Sequence, residues 1–438
     1  MNAALDRALG RVWQSPLPGR VLDDLVALDR VAGHDGERRA ADRILDHLDR
    51  AGAVDTRREA VPIEVWHADG ASLAIDPPAA SAGIDAQGDA TPDHYAATAL
   101  PYSPAGTVIG PVRSIDADAD LDGAIALSRA GGDTHRLAAV GRAAERGAAG
   151  FLLAGDRPGQ LRPTGTVGTG QAGPLVAAGI SHETAATLDR RDRPVELSVS
   201  ARLTDGETHL VRGRIGPDTA DRVLVVAHHD AHAIGEGALD NGAGVAALVA
   251  VVETLVGVDL PLGVDVATVG GEEVGLLGSA ALAAAMDTDR IRAVVNCDGI
   301  GRHPRPKAIT HGSDALDDLI AGVARDLDRP IDRVTRTHPY SDHWPFLRRG
   351  VPALQFHSTR PGGRTDRWER GVTHTAADTR EKVSIATVRD HAMVAAVAVR
   401  RLLDTRVPRR DPDAIRAGFE ETGLSDRMRT AGVWPEAW

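Results

Sequence analysis

The spacing of apolar positions changes twice along the chain, and each change marks a different kind of structure. Near the start, LDDLVAL and GERRAADRILDHLDRAGA place apolar residues three and four apart, with Ala40, Ile44, Leu45 and Leu48 on one helical face before Gly52. This spacing predicts amphipathic helices that pack onto a sheet. From about Ala97 to Arg202 the apolar runs shorten and Gly and Pro become frequent. GTVIGPV, GAIALSRAG, GAAGFLLAGD and PLVAAGIS read as strands, with one helix in HRLAAVGRAAERG. The segment predicts an inserted β-rich domain of roughly a hundred residues, an ordinary domain size.

Beyond it, strands and helices alternate. HLVRGRI, RVLVVAH, LGVDVATV, IRAVVNCD and PALQFHS are apolar strand patterns. The stretches between and after them, GAGVAALVAVVETLVG, LLGSAALAAAM, ALDDLIAGVARDL and IATVRDHAMVAAVAVRRLL, are helical. Continuous Val-rich strands alternating with helices predict an α/β fold with a mostly parallel mixed sheet covered by helices on both faces. The expected organisation is 1–96 as the first part of the main domain, 97–202 as the insertion and 203–405 as the rest of the main domain. Residues 406–438 form an extension with no assigned role.

In such sheets ligands bind beyond the carboxyl ends of the strands, and the polar residues of interest fall there. RVLVVA runs into HHDAH, so His228 is the first residue past a buried strand, with Asp230 two residues on and directed to the same side. A histidine with a nearby carboxylate has the makings of a ligand and its orienting partner, although His229 and His232 compete for the role. GALDNGAG puts Asp240 at a loop-to-helix junction, where helix capping is the plain alternative. GGEEVGLLGS presents the adjacent Glu272 and Glu273, a doublet that a buried edge tolerates only with a cation or a proton. Asp298 leaves the apolar run AVVNCD, THTAADT offers His374 and Asp378, and SDHWPF offers Ser341, Asp342 and His343. Each could be a solvated loop residue alone. Their recurrence at successive strand ends of one sheet would gather them on one edge.

Composition narrows the chemistry. The chain has 438 residues, 42% of them hydrophobic, which suffices for a large core and more than one domain. A single cysteine, Cys297, rules out an internal disulfide framework and a cysteine-based metal cluster, so any metal would rely on His and carboxylate ligands. The formal charge of −12, with no basic block, argues against nucleic acid or an anionic membrane as partner. The opening MNAALDRALGRVWQSPLPGR lacks the apolar stretch of a signal peptide, and the expected location is the cytoplasm.

Taken in order, HHD, GALDNGAG, GGEEVGLLGS, NCDGIG, SDHWPFLRRGVPA and THTAADT resemble the motif set of the co-catalytic zinc exopeptidases, the family of leucyl-type aminopeptidases, glutamate carboxypeptidase and glutaminyl cyclase. The similarity covers about residues 204 to 403 and the helical start. LDGAIALSRAGGDTHRLAAVGRAAERGAAGFLLAGD resembles the protease-associated domain that many members carry. The resemblance implies two divalent ions per chain, with zinc expected: one on His228 and Asp298, the other on Glu273 and His374, and Asp240 bridging. It also implies Glu272 as general base, Asp230 orienting His228, and a cis peptide between Asp240 and Asn241. Cys297 beside Asp298 and Thr373 before His374 depart from common family residues without removing a ligand. The implied activity is removal of N-terminal residues from peptides, with carboxypeptidase, cyclase or an inactive binding protein as alternatives. Arg302, Arg348, Arg349 and Arg364 are too dispersed in sequence to decide among these. The inserted domain is expected to cover the active-site edge or to mediate dimerisation, which leaves a homo-oligomer open.

Overall fold

The structure is a computed structural model that describes residues 3–76, 93–116, 120–132, 134–360 and 371–438. Three helices, α1 (Ala3–Gln14), α2 (Leu17–Val26) and α3 (Asp35–Ala51), precede the long strand β1 (Val54–Ile75). Next come β2 (Asp93–Ala96), β3 (Thr98–Ala99), β4 (Gly106–Gly110), β5 (Val112–Ser114), β6 (Ile125–Arg129), α4 (Arg136–Glu145), β7 (Gly150–Ala154), β8 (Val176–Ile180) and α5 (His182–Arg191). A second long strand, β9 (Val195–Ile215), leads to β10 (Arg222–His228), α6 (Ala243–Leu255), β11 (Gly263–Val269), α7 (Leu277–Ala285) and β12 (Ile291–Cys297). β13 (Arg305–Ile309), α8 (Asp314–Asp326), β14 (Asp332–Val334), α9 (Trp344–Leu347), β15 (Ala353–Thr359), α10 (Ile385–Asp404), α11 (Pro412–Glu421) and α12 (Leu424–Thr430) follow.

These elements fall into two compact units. The first comprises Met1–Ile63, Glu207–Thr373 and Asp378–Ala417; the second comprises Glu64–Gly206, His374–Ala377 and Gly418–Trp438. The sequence had suggested an insertion at 97–202, whereas the second unit takes the outer halves of β1 and β9 as well as the last segment of the chain.

In the first unit β10 lies at the centre of a mixed sheet, parallel to both β11 and β12. β15 adds in parallel to β12, β13 returns antiparallel on β15 with β14 beside it, and β9 runs antiparallel on β11. Val223 to Ala227 of β10 are essentially inaccessible, which explains why the strand reads as an unbroken apolar run. Every residue of α6 except Glu253 is buried. α6 packs against α1, α2, α3 and α10, and each Val or Leu buried there contributes about 1.5–3 kcal/mol relative to exposure. The segment Ala238–Leu255 is long and apolar enough to cross a membrane by length and composition, but it is almost wholly buried inside the unit as core.

The second unit has its own sheet, ordered β3-β8-β7-β6-β5, with β5 to β8 parallel and β3 antiparallel. Ile125, Leu127, Leu152, Ala178 and Ile180 fill one face, and Phe151, Val140 and Ala143 fill the other. The extension that had no assigned role supplies α12 to this unit, where it packs on α4 with Met428 buried. The approach is close: a side chain added at Gly141 would meet the Thr430 carbonyl at 1.9 Å.

Candidate metal centre

The parallel core places His228 as the last residue of β10 and the Glu272–Glu273 doublet and Asp298 just past the carboxyl ends of β11 and β12. The His228 ring is almost fully buried. Its Nδ1 is 3.5 Å from Asp230 Oδ1 and 3.3 Å from the Asp230 carbonyl, and its Nε2 is 3.5 Å from Asp240 Oδ1. Burial works against the charged ring, but Glu272, Asp230 and Asp240 outweigh it and raise the pKa well above the usual histidine value. Ligand atoms of His228, Glu272 and Asp298 lie within 4.8 Å of one another.

Asp230 also reaches the glutamate doublet. Its two carboxylate oxygens accept the backbone N–H groups of Glu272 and Glu273, both at 3.2 Å. The side chain of Glu273 meets His232 Nε2 at 3.0 Å. His229, the other candidate beside His228, is fully occupied elsewhere: Nε2 faces Glu37 at 2.9 Å and Nδ1 faces Thr268 Oγ1 at 3.2 Å. Glu37 comes from α3 and also accepts from Thr208 Oγ1 and the His209 N–H. Its burial would raise its pKa, but the hydrogen bonds with His209 and His229 more than offset this and hold it at about 2.

Asp240 is held from its backbone. Asp378 accepts the N–H groups of Leu239 and Asp240 at 2.7 and 3.1 Å, and burial pushes the Asp378 carboxyl up to about 6. The Asp240–Asn241 peptide is cis, as the resemblance implied. Asn241 Nδ2 then donates to the Cys297 carbonyl at 2.8 Å, tying the turn to the end of β12. Gly244 makes this possible, since a Cβ there would lie 2.1 Å from Asn241 Oδ1 and 2.3 Å from the Cys297 carbonyl.

Asp298 accepts a 2.8 Å bond from Ser341 Oγ, and Ser341 in turn accepts from Asn296 Nδ2 at 2.7 Å. Arg302 lies 2.9 Å from Asp240 and 3.6 Å from Asp298, a role for this arginine that sequence spacing did not disclose. Arg349 donates to the Pro345 carbonyl, and Arg364 lies outside the described residues. His374 belongs to the short segment grouped with the second unit, where its Nδ1 is 3.4 Å from the Thr164 carbonyl.

The surplus of buried acid fits divalent metal. Burial raises the Glu272 pKa well above the usual carboxylate range, and Glu273, Asp342 and Asp298 add to it; Asp342 is likewise pushed up by burial, to about 7. Such a cluster of carboxylates is costly unless cations compensate it. Its donors are imidazole nitrogens and carboxylate oxygens, which suit zinc and its neighbours. Arg30 and Glu37 are the parts of the site's support that sequence reading missed. The signal was a charged residue of each sign within an otherwise amphipathic helical start. Only the fold shows that they are buried.

Residues 211–399 match the model of peptidase family M28. Among solved structures, the chain is similar to an aminopeptidase from Aneurinibacillus sp. strain AM-1, at 23% identity over 90% of this chain and 95% of that one, with a TM-score of 0.66. A peptidase M28 precursor from Shewanella amazonensis SB2B shares 22% identity over 93% and 97%, with a TM-score of 0.75. A zinc aminopeptidase from Bacillus subtilis shares 20% over 87% and 94%, with a TM-score of 0.67. At these identities the likeness to solved structures establishes the fold. A comparison with curated proteins gives no match.

Proposed function

We propose, from the match of residues 211–399 to the model of peptidase family M28, that the chain is a metal-dependent peptidase and acts as an aminopeptidase with two zinc ions, His228, Asp240, Glu273 and Asp298 serving as ligands. The resemblance adds His374 as the fifth. The observation that carries the reading is the shared position of His228, Glu272 and Asp298 at three adjacent strand ends, with Asp240 Oδ1 3.5 Å from His228 Nε2.

Bound there, a pair of divalent ions would supply an activated water at neutral pH and polarise the scissile carbonyl. The chain's own part is positional. Asp230 fixes the backbone of the doublet; Glu273 would hold the metal, and Glu272 would take a proton from the attacking water and return it to the departing amine. Asp378 and Asn241 hold Asp240 in place, and Ser341 aims Asp298. Peptides with a free N-terminus are the substrates on this reading. The second unit is read as a protease-associated domain, on the resemblance of residues 121–156.

Metal content by mass spectrometry, with hydrolysis of aminoacyl-nitroanilides by wild type and Glu272→Ala, tests the proposal. Two zinc ions per chain, with hydrolysis lost in the variant while metal is retained, are expected. Metal below one per chain, or undiminished hydrolysis in Glu272→Ala, would overturn it.

A further inference from the structure

A second group of imidazoles stands apart from the proposed reaction. His311 lies in the turn between β13 and α8, while His338 and His343 lie on the segment between β14 and α9. Ring nitrogens of the three come within 4.8 Å of one another. The ring centroids are 4.0 Å apart for His311 and His343, 4.9 Å for His338 and His343, and 5.1 Å for His311 and His338.

The hydrogen bonding is unusual for such a group, in which His311 and His343 are buried and stacked and His338 is half-buried. His311 is fully buried, and neither ring nitrogen has a hydrogen-bond partner among the described residues. An unmet buried polar group of this kind costs about 1–3 kcal/mol, so a fold seldom keeps one without use. His343 places Nε2 3.0 Å from the His338 carbonyl, which leaves its buried Nδ1 without a partner. A ring nitrogen pinned outward on a backbone carbonyl, with the other pointing inward, is how ligating histidines are oriented. His338 Nδ1 accepts a long 3.3 Å bond from the Tyr340 N–H, and the Gln355 side chain also faces the ring. Burial keeps all three rings neutral, with His338 lowered to about 4, and the neutral ring is the form that ligates.

Charge and donor type choose the ion. Arg410 acts on His311, and Arg336 and Lys307 act on His338, and among the described residues no carboxylate joins the three rings. Hard ions such as magnesium or calcium need oxygen ligands and gain nothing here. Imidazole nitrogens favour late first-row metals, copper above all. We propose that His311, His338 and His343 form a binding site for a late transition-metal ion of the copper or zinc class, in addition to the peptidase metals. Binding closes the nitrogens to about 3.3 Å apart, as bonds of about 2.0–2.1 Å require. The ion ties the turn after β13 to the segment that carries Ser341, and so steadies the hydroxyl that aims Asp298.

The test is titration of the full chain, first loaded with only the two equivalents of zinc that the peptidase site takes, with Cu2+ followed by electron paramagnetic resonance. One copper per chain with hyperfine splitting from three nitrogens is expected, without zinc release. His311→Asn suits the positive φ of 48° at that position, and should raise the copper dissociation constant at least tenfold and remove the three-nitrogen pattern. Hydrolysis by the zinc-loaded variant should stay within threefold of wild type. The wild-type spectrum stands by itself should a variant fold poorly, and it does not depend on peptidase activity. Copper bound by two or fewer nitrogens, copper that displaces zinc, or unchanged binding in His311→Asn would each overturn the proposal.

Discussion

Arg30 offers a severe trial of how the metal edge is supported. Its side chain is almost inaccessible, and all its observed bonds go to backbone carbonyls: Nε to His229 at 2.8 Å, Nη1 to Leu25 at 2.7 Å and Glu236 at 2.9 Å, and Nη2 to Gly237 at 2.8 Å. Burial lowers its pKa to about 10, opposed by Asp378, Asp230 and Glu236, so it stays charged at neutral pH. Arg30→Met keeps most of the aliphatic volume and removes every donor. Each charge-assisted bond contributes about 1.5–3 kcal/mol. Because the four share one side chain and water can enter, the losses do not add, and a total of about 4 kcal/mol is expected, at the top of the range for single substitutions. Arg30→Lys retains the charge but directs its donors from one point, so it should reach about two of the carbonyls and lose about 2 kcal/mol. Urea unfolding of the zinc-free protein measures both, and thermal unfolding should fall by about 10 °C for the methionine variant. If Arg30→Met lies within about 1 kcal/mol of wild type, or lysine is no better than methionine, the four bonds are not what holds residues 229–237.

Other substitutions probe separate links. Lowering the Glu37 pKa from 4.5 to about 2 corresponds to about 3 kcal/mol of stability, fully present above pH 4.5 and lost as pH falls towards 2. Stability of Glu37→Gln against wild type from pH 7 to 2 should therefore converge at the acid end, and a gap that stays constant with pH would contradict the assignment. Asp378→Asn replaces one acceptor of the Leu239 and Asp240 N–H groups with a donor, and should weaken zinc retention against a chelator by about 10–100-fold with the fold intact by circular dichroism. Gly141→Ala drives a methyl into the Thr430 carbonyl and should cost about 1–3 kcal/mol in the second unit, read as a lowered urea midpoint. An unchanged midpoint would show that α12 moves aside freely.

Much of this was visible in the sequence because the central sheet is parallel. A strand buried on both faces is written as an apolar run, and its last residue is then unambiguous, which is why His228 and Asp298 could be placed at strand ends. β13 was not legible: RPKAI is short, contains Pro and Lys, and forms only because β15 offers it an antiparallel edge. Spacing also could not separate His228 from His229, since what engages His229 is Glu37, 192 residues away in the chain. The last segment gave no signal because its apolar residues serve a partner surface on α4, and no period within the segment itself reveals a surface elsewhere.

The family match begins at residue 211, yet the edge it describes is fastened by the first forty residues. The Ala231 N–H donates to the carbonyl of Arg30 at 2.8 Å, the Arg30 side chain spans the loop that leads to Asp240, and Glu37 holds His229 beside His228. A recognisable homology segment is therefore not a unit of folding here. An excised 211–399 fragment would have every matched residue and lack the parts that fix them, so truncation studies on this chain should keep the N-terminal helices and be designed around contacts across the sequence.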